Sequence, residues 1–81
     1  MRTKRTKVSA RKMVVCIDNS EYEASLELHK IYPALPDPDA LRDGDLRIVD
    51  ESGEDYLYAS DRFLPIDVPV SLARAILKKA S

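Results

Sequence analysis

The sequence predicts a mainly β domain, a small five-stranded barrel followed by a C-terminal α-helix. Three observations lead there. Short runs of β-branched and aromatic residues recur between turn-forming clusters. A stretch rich in proline and aspartate breaks the middle of the chain, and the one sustained helical period comes after Pro69. Closing five short strands into a barrel would remove most free edges, and the helix would cap one end.

The elements follow in order. Met13-Val14-Val15-Cys16-Ile17 is an apolar, β-branched run closed by Asp18-Asn19-Ser20, which reads as a buried first strand ending in a turn. Residues 26–32 alternate at first, Leu26 and Leu28 against Glu27 and His29, and read as a second strand with a bulge near Lys30 and Ile31. Residues 33–45 hold three prolines, four aspartates and Gly44, a composition that opposes both helix and central strand and predicts a long loop with at most one helical turn. Leu46–Val49 and Asp55–Tyr58 flank Asp50-Glu51-Ser52-Gly53-Glu54, where Gly53 can supply the positive φ of a hairpin loop. Ala59–Arg62 suits one tight turn. Phe63–Val68 reads as a last strand, which Pro65 confines to an edge or a bulge. Pro69 fits the first position of a helix through about Lys79, with an apolar stripe of Leu72, Ala73, Ile76 and Leu77. The expected core is Val15, Ile17, Leu26, Leu28, Ile48, Leu57, Phe63 and Ile66.

At 81 residues the chain has room for one domain. Apolar residues make up 44% and charged residues 33%, the composition of a chain that folds. No apolar run approaches the roughly 18 residues that span a bilayer, so no membrane association is expected. Cys16 is the only cysteine, which forbids an intramolecular disulfide and suits the reducing cytoplasm. The net charge of −1 conceals a division. Arg2, Lys4, Arg5, Lys7, Arg11 and Lys12 crowd residues 1–12 without an acid, whereas residues 13–81 carry seven basic and fourteen acidic side chains. The expected organisation is therefore a disordered basic tail, 1–12, on an acidic domain, 13–81. Met13, directly before the first apolar run, is also a candidate start of the chain.

The order of elements resembles a Src-homology-3-like barrel. Val15–Asn19 and Tyr22–Leu28 match that fold's opening strand and first long loop, and Tyr56–Leu64 matches its last two strands and the short turn between them. Over residues 13–69, Val-Val-Cys-Ile-Asp-Asn at 14–19, Tyr-Glu-Ala-Ser-Leu-Glu-Leu at 22–28 and Asp-Glu-Ser-Gly-Glu-Asp-Tyr-Leu-Tyr at 50–58 are similar to a group of small uncharacterised bacterial proteins. The resemblance implies the fold and brings no activity. Proline-rich peptide binding does not carry over from it. Ile17 and Asn19 stand where aromatic residues would be, no tryptophan exists, and only Phe63 matches a groove aromatic.

No residue set predicts catalysis, a metal or a cofactor. A Cys–His pair would have to come from Cys16, inside an apolar strand, and His29, at a polar-facing position. A structural zinc site needs about four nitrogen or sulfur ligands, and this chain has one thiol and one imidazole. Asp37, Asp39, Asp43 and Asp45 fail the calcium-loop spacing because Leu41 occupies a ligand position. Asp50, Glu51, Glu54 and Asp55 read as acids solvating a turn. Two glycines cannot make a phosphate-binding loop.

The expectation is accordingly a non-catalytic protein-interaction module that binds another protein or itself. It would bind through its strand face, its long 33–45 loop or its terminal helix, and the candidate partner residues are Tyr56 and Tyr58, two residues apart on one strand face, and Leu72 and Ile76 of the helix. Core packing is the competing role for the tyrosine pair. The second reading is a nucleic-acid-associated barrel that lays Arg2, Lys4, Arg5, Lys7, Arg11 and Lys12 on phosphates.

Overall fold

The computed structural model describes residues 12–80, with side chains through residue 78. The proposed tail, and with it Arg2, Lys4, Arg5, Lys7 and Arg11, lies outside the described residues, while Lys12 already belongs to the first strand. The elements are β1 (Lys12–Cys16), β2 (Ile31–Leu35), α1 (Pro38–Arg42), β3 (Asp45–Val49), β4 (Asp55–Ala59), a 3₁₀ turn (Ser60–Arg62), β5 (Phe63–Ile66) and α2 (Val70–Ala80). The five strands form one antiparallel sheet in the order β4-β3-β2-β1-β5. The class is the expected one, mainly β with a terminal helix. β4 and β5 curl toward each other until the Tyr58 and Phe63 rings meet edge to face, 6.1 Å between centroids. They form no ladder among the described residues, so the pairings stop short of closing a barrel.

One face of this sheet makes the core. Val14 opposite Tyr32, Cys16 opposite Phe63, Ala34 opposite Ile48 and Leu46 opposite Tyr58 are cross-strand pairs that turn the same way, and Leu26 drops in from the β1–β2 connection. Of the expected core, Leu26, Ile48 and Phe63 are buried and Val15 and Ile66 are half-buried. Ile17, Leu28 and Leu57 are exposed instead. In the uninterrupted run 13–17 both parities are apolar, so the pattern does not choose a face; register chose Val14 and Cys16.

The second strand is also displaced from its expected place. Residues 17–30 make turns, and β2 begins at Ile31 and runs through Pro33. Cys16 turns both polar groups toward this strand, its N–H donating to Lys30 O at 3.0 Å and its carbonyl accepting from His29 N–H at 2.7 Å. By alternation, Met13 and Pro33 then form a non-hydrogen-bonded pair, and the Pro33 nitrogen faces β3. The β2–β3 ladder stops at Ala34–Ile48, one residue short of Pro33, so the missing N–H leaves no ladder bond unmade.

The Pro-Asp stretch after β2 does hold one helical turn. Asp37 caps α1, its Oδ1 accepting from Ala40 N–H at 3.0 Å, and Pro38 supplies a preset φ in the first turn. Arg47 Nε donates to the other Asp37 oxygen at 2.8 Å, and Arg47 also reaches Asp55 on β4 at 3.0 Å. The Ala40 N–H first, and Arg47 with it, hold the Asp37 carboxyl below its ordinary 3.8.

α2 packs against β2 and not at an end of the sheet. Ile76 lines a cavity of about 210 Å³ with Ile31, Pro33 and Val49, which lie on the face opposite the core. That face is apolar where Met13 and Pro33 meet, and both are buried. Ala73 is buried while Ile76 and Leu77 are half-buried, so the docked stripe is 73, 76 and 77, with Leu72 exposed beside it. Pro69 stands just before the helix, and its carbonyl accepts from Leu72 and Ala73 N–H, 3.0 Å each.

Candidate interaction surface

The hairpin of β3 and β4 carries the candidate surface, and its tip is anchored from below. Gly53 takes φ +85, and Asp50 N–H donates to Glu54 O at 3.1 Å. The acids of this tip do more than solvate a turn. Asp50 is only 5% exposed; its Oδ1 accepts from Ser52 N–H (2.9 Å) and Oγ–H (2.6 Å), and its Oδ2 from the Tyr58 hydroxyl at 2.5 Å. Glu51 N–H donates to Ser25 O at 3.0 Å, and Glu51 Oε2 accepts from Lys30 Nζ at 2.6 Å and from the Tyr32 hydroxyl at 2.5 Å. Burial first, and the carboxylate acceptor second, push the Tyr58 phenol up to about 12; the same two causes raise Tyr32 further.

Tyr58 is thereby committed to structure. Its ring also meets Tyr22 edge to face at 5.1 Å, and Arg62 lies 4.7 Å from the Tyr22 ring while donating to Asp18 O and Ser20 O at 3.2 and 2.9 Å. Tyr56, on the same face one step toward the tip, is 50% exposed, and its hydroxyl donates to Glu54 at 3.0 Å, which raises its pKa. The two tyrosines part because the curl of the sheet carries Tyr58 over the core and leaves Tyr56 beyond it.

The four candidate partner residues lie on two separate faces. Tyr56 and Tyr58 lie on the core face of β4, whereas α2, with exposed Leu72 and half-buried Ile76, covers the opposite face. What the structure adds is Leu57, 48% exposed on the outer face, and the main chain of β4 itself. The bonds Asp50 to Glu54 and Ser60 to Gly44, 2.9 Å in the second case, fix the alternation of the β3–β4 ladder. Tyr56 and Tyr58 therefore bond β3, and Asp55, Leu57 and Ala59 turn their N–H groups away from it. The absence of Pro and Lys from Asp-Tyr-Leu-Tyr-Ala was the sequence signal for this open edge.

Other candidate groups are dispersed. Cys16 is fully buried, and His29 is exposed in a turn at φ +67, meeting Cys16 through backbone only in the bond already described. Among the described residues, no group of three or more His, Cys, Asp or Glu is placed to hold a metal ion, and no helix is long and apolar enough to cross a membrane. No protein-family model, curated protein or solved structure matches the chain.

Proposed function

We propose that the protein is a cytoplasmic, non-catalytic protein-interaction module built on a Src-homology-3-like barrel plan, binding another protein or itself. The carrying observation is β4, an edge strand with Tyr56 and Leu57 both about half exposed, one on each side of the sheet. The barrel plan is supported by the pairing of β5 with β1 and by the 3₁₀ turn between β4 and β5. Paired exposed aromatic and aliphatic side chains suit a protein contact, whereas stacking on nucleic-acid bases calls for a positively charged groove, and residues 13–81 carry twice as many acids as bases.

The second reading draws on the basic residues 2–12 and acts through phosphates. One experiment separates the two. The full chain and a variant with Arg2, Lys4, Arg5, Lys7 and Arg11 replaced by Gln are titrated with random-sequence DNA and RNA at low and moderate salt, and labelled protein is used to capture partners from cells. The module reading expects a captured protein whose contact shifts amides of residues 13–81 and survives the Gln substitutions. Binding confined to nucleic acid, steep in salt and lost with the Gln substitutions, would replace it with the second reading.

A further inference from the structure

The two edges of the sheet differ in what their backbones offer. On β5, Ile17 N–H donates to Arg62 O at 2.8 Å, so by alternation Leu64 and Ile66 bond β1 and Phe63 and Pro65 face outward. Phe63 N–H is taken by Ser60 O, and Pro65 has none. β5 thus presents no outward donor. β4 presents the N–H groups of Asp55, Leu57 and Ala59 and the carbonyls of Asp55 and Leu57, none bonded to another backbone group among the described residues. Its ladder with β3 runs unbroken over five pairs, without the bulge, proline or lysine that guards an edge.

Resting on the interaction-module reading, we propose that β4 is a strand-addition site whose free edge takes up an extended, lysine- and arginine-rich segment of a partner protein as a sixth strand. Main-chain pairing supplies the hold, and Leu57 on one face and Tyr56 on the other receive alternate side chains of the incoming strand. Charge selects the occupant. Exposed Glu54 stands at one end of the strand, beside Asp55, which Arg47 holds, and exposed Asp61 stands just past the other, with no basic residue on β4. The one guanidinium on the neighbouring strand, Arg47, is already engaged by Asp37 and Asp55. A second copy of the same acidic edge meets like charge: antiparallel pairing centred on Leu57 sets Gly53 of one copy opposite Asp61 of the other, with Glu54 adjacent.

The test uses the full-length, isotope-labelled chain and an acetylated decapeptide of alternating lysine and threonine, with the glutamate-for-lysine peptide as control. The lysine peptide should shift the amides of Asp55, Leu57 and Ala59 and slow their exchange, with affinity falling as salt rises; the glutamate peptide should not. Leu57→Pro removes an outward N–H and no β3 bond, as Pro65 does in β5, and loss of one hydrogen bond should weaken binding about five- to tenfold. Leu57→Val should bind as the parent does. Should Leu57→Pro fail to fold, Glu54→Lys with Asp61→Lys should lose the lysine peptide and gain the glutamate one. Shifts on any other surface overturn the proposal. So does concentration-dependent dimerisation through β4, which assigns the edge to a second copy. Protection of the three amides in the free chain, lost when the basic residues 2–11 become Gln, assigns it to the chain's own basic segment and overturns the partner. A captured protein that binds Leu57→Pro as tightly as the parent removes the edge and leaves the module standing; absence of any protein contact removes both.

Discussion

β5 and β4 both end the sheet, yet β5 has its outward positions filled by Pro65 and by a Phe63 N–H already bonded to Ser60, while β4 turns three N–H groups away from β3, where no described backbone group accepts them. The side chains do not separate them: each strand buries one aromatic ring, Phe63 or Tyr58, and leaves large apolar side chains half exposed, Leu64 on β5 and Tyr56 and Leu57 on β4, so the difference lies in the backbone. An edge is thus not a uniform property of a sheet. It depends on which residues fall at outward positions, and a shift of one residue in register would turn Pro65 toward β1 and break that ladder.

The largest effect on the two edges is expected from beneath the sheet. Ile48 is fully buried on β3, opposite both Ala34 and Tyr56, so Ile48→Ala should cost about 2–5 kcal/mol in denaturant unfolding. Amide exchange in that variant should rise more in β4 than in β5, since among the described residues β3 is the strand that β4 pairs with. Equal loss at both edges would show that the two are supported as one unit.

Tyr58→Phe comes next. It removes the hydroxyl that meets buried Asp50 and should cost about 1–2 kcal/mol. The pH dependence carries its own sign. The folded phenol titrates above its ordinary 10, at about 12, so the contribution is present in full below pH 10 and is lost as pH rises through 12. Stability of the parent should therefore fall between those values, and the fall should be shallower in Tyr58→Phe, with the Tyr32 share remaining. Asp37 gives the opposite limb. Its folded pKa lies below 3.8, so its contribution is present above that value and lost as pH falls beneath it.

Pro65→Val probes β5 directly. The substitution returns an outward N–H and frees the unfolded chain, which should lower stability by about 0.4–1 kcal/mol. Sedimentation at rising concentration should then show self-association absent from the parent; a variant as monomeric as the parent would mean that Pro65 does not guard the edge. The smallest effect lies at the β1–β2 connection. His29 holds φ +67 without the freedom of glycine, so His29→Gly should stabilise by about 0.5 kcal/mol and leave both edges unchanged in exchange.

Local chemistry made part of this structure legible in the sequence. The β3–β4 hairpin follows from Gly53 between two alternating runs, the edge position of β5 from Pro65, and α2 from the stripe after Pro69, since each depends on residues within one turn or one period. The class followed from their sum. Tertiary pairing decided the rest. Residues 26–30 alternate like a strand, yet β2 lies at 31–35, because pairing with β1 puts Tyr32 and Ala34 on the core face and leaves the Pro33 nitrogen beyond a ladder end. The apolar run 13–17 could not name its buried face, and the 73, 76 and 77 stripe of α2 could not name its dock, until Met13 and Pro33 met on the side away from the core. Tyr56 and Tyr58 are equivalent by spacing and differ only through the curl of the sheet. The acids at 50 and 51 read alike as solvated until the fold brings Tyr58 and Tyr32 to them. Sequence carries the local dihedral and periodic preferences of a segment, while burial and hydrogen-bond partners belong to pairs distant in the chain, which only the register of the finished sheet defines.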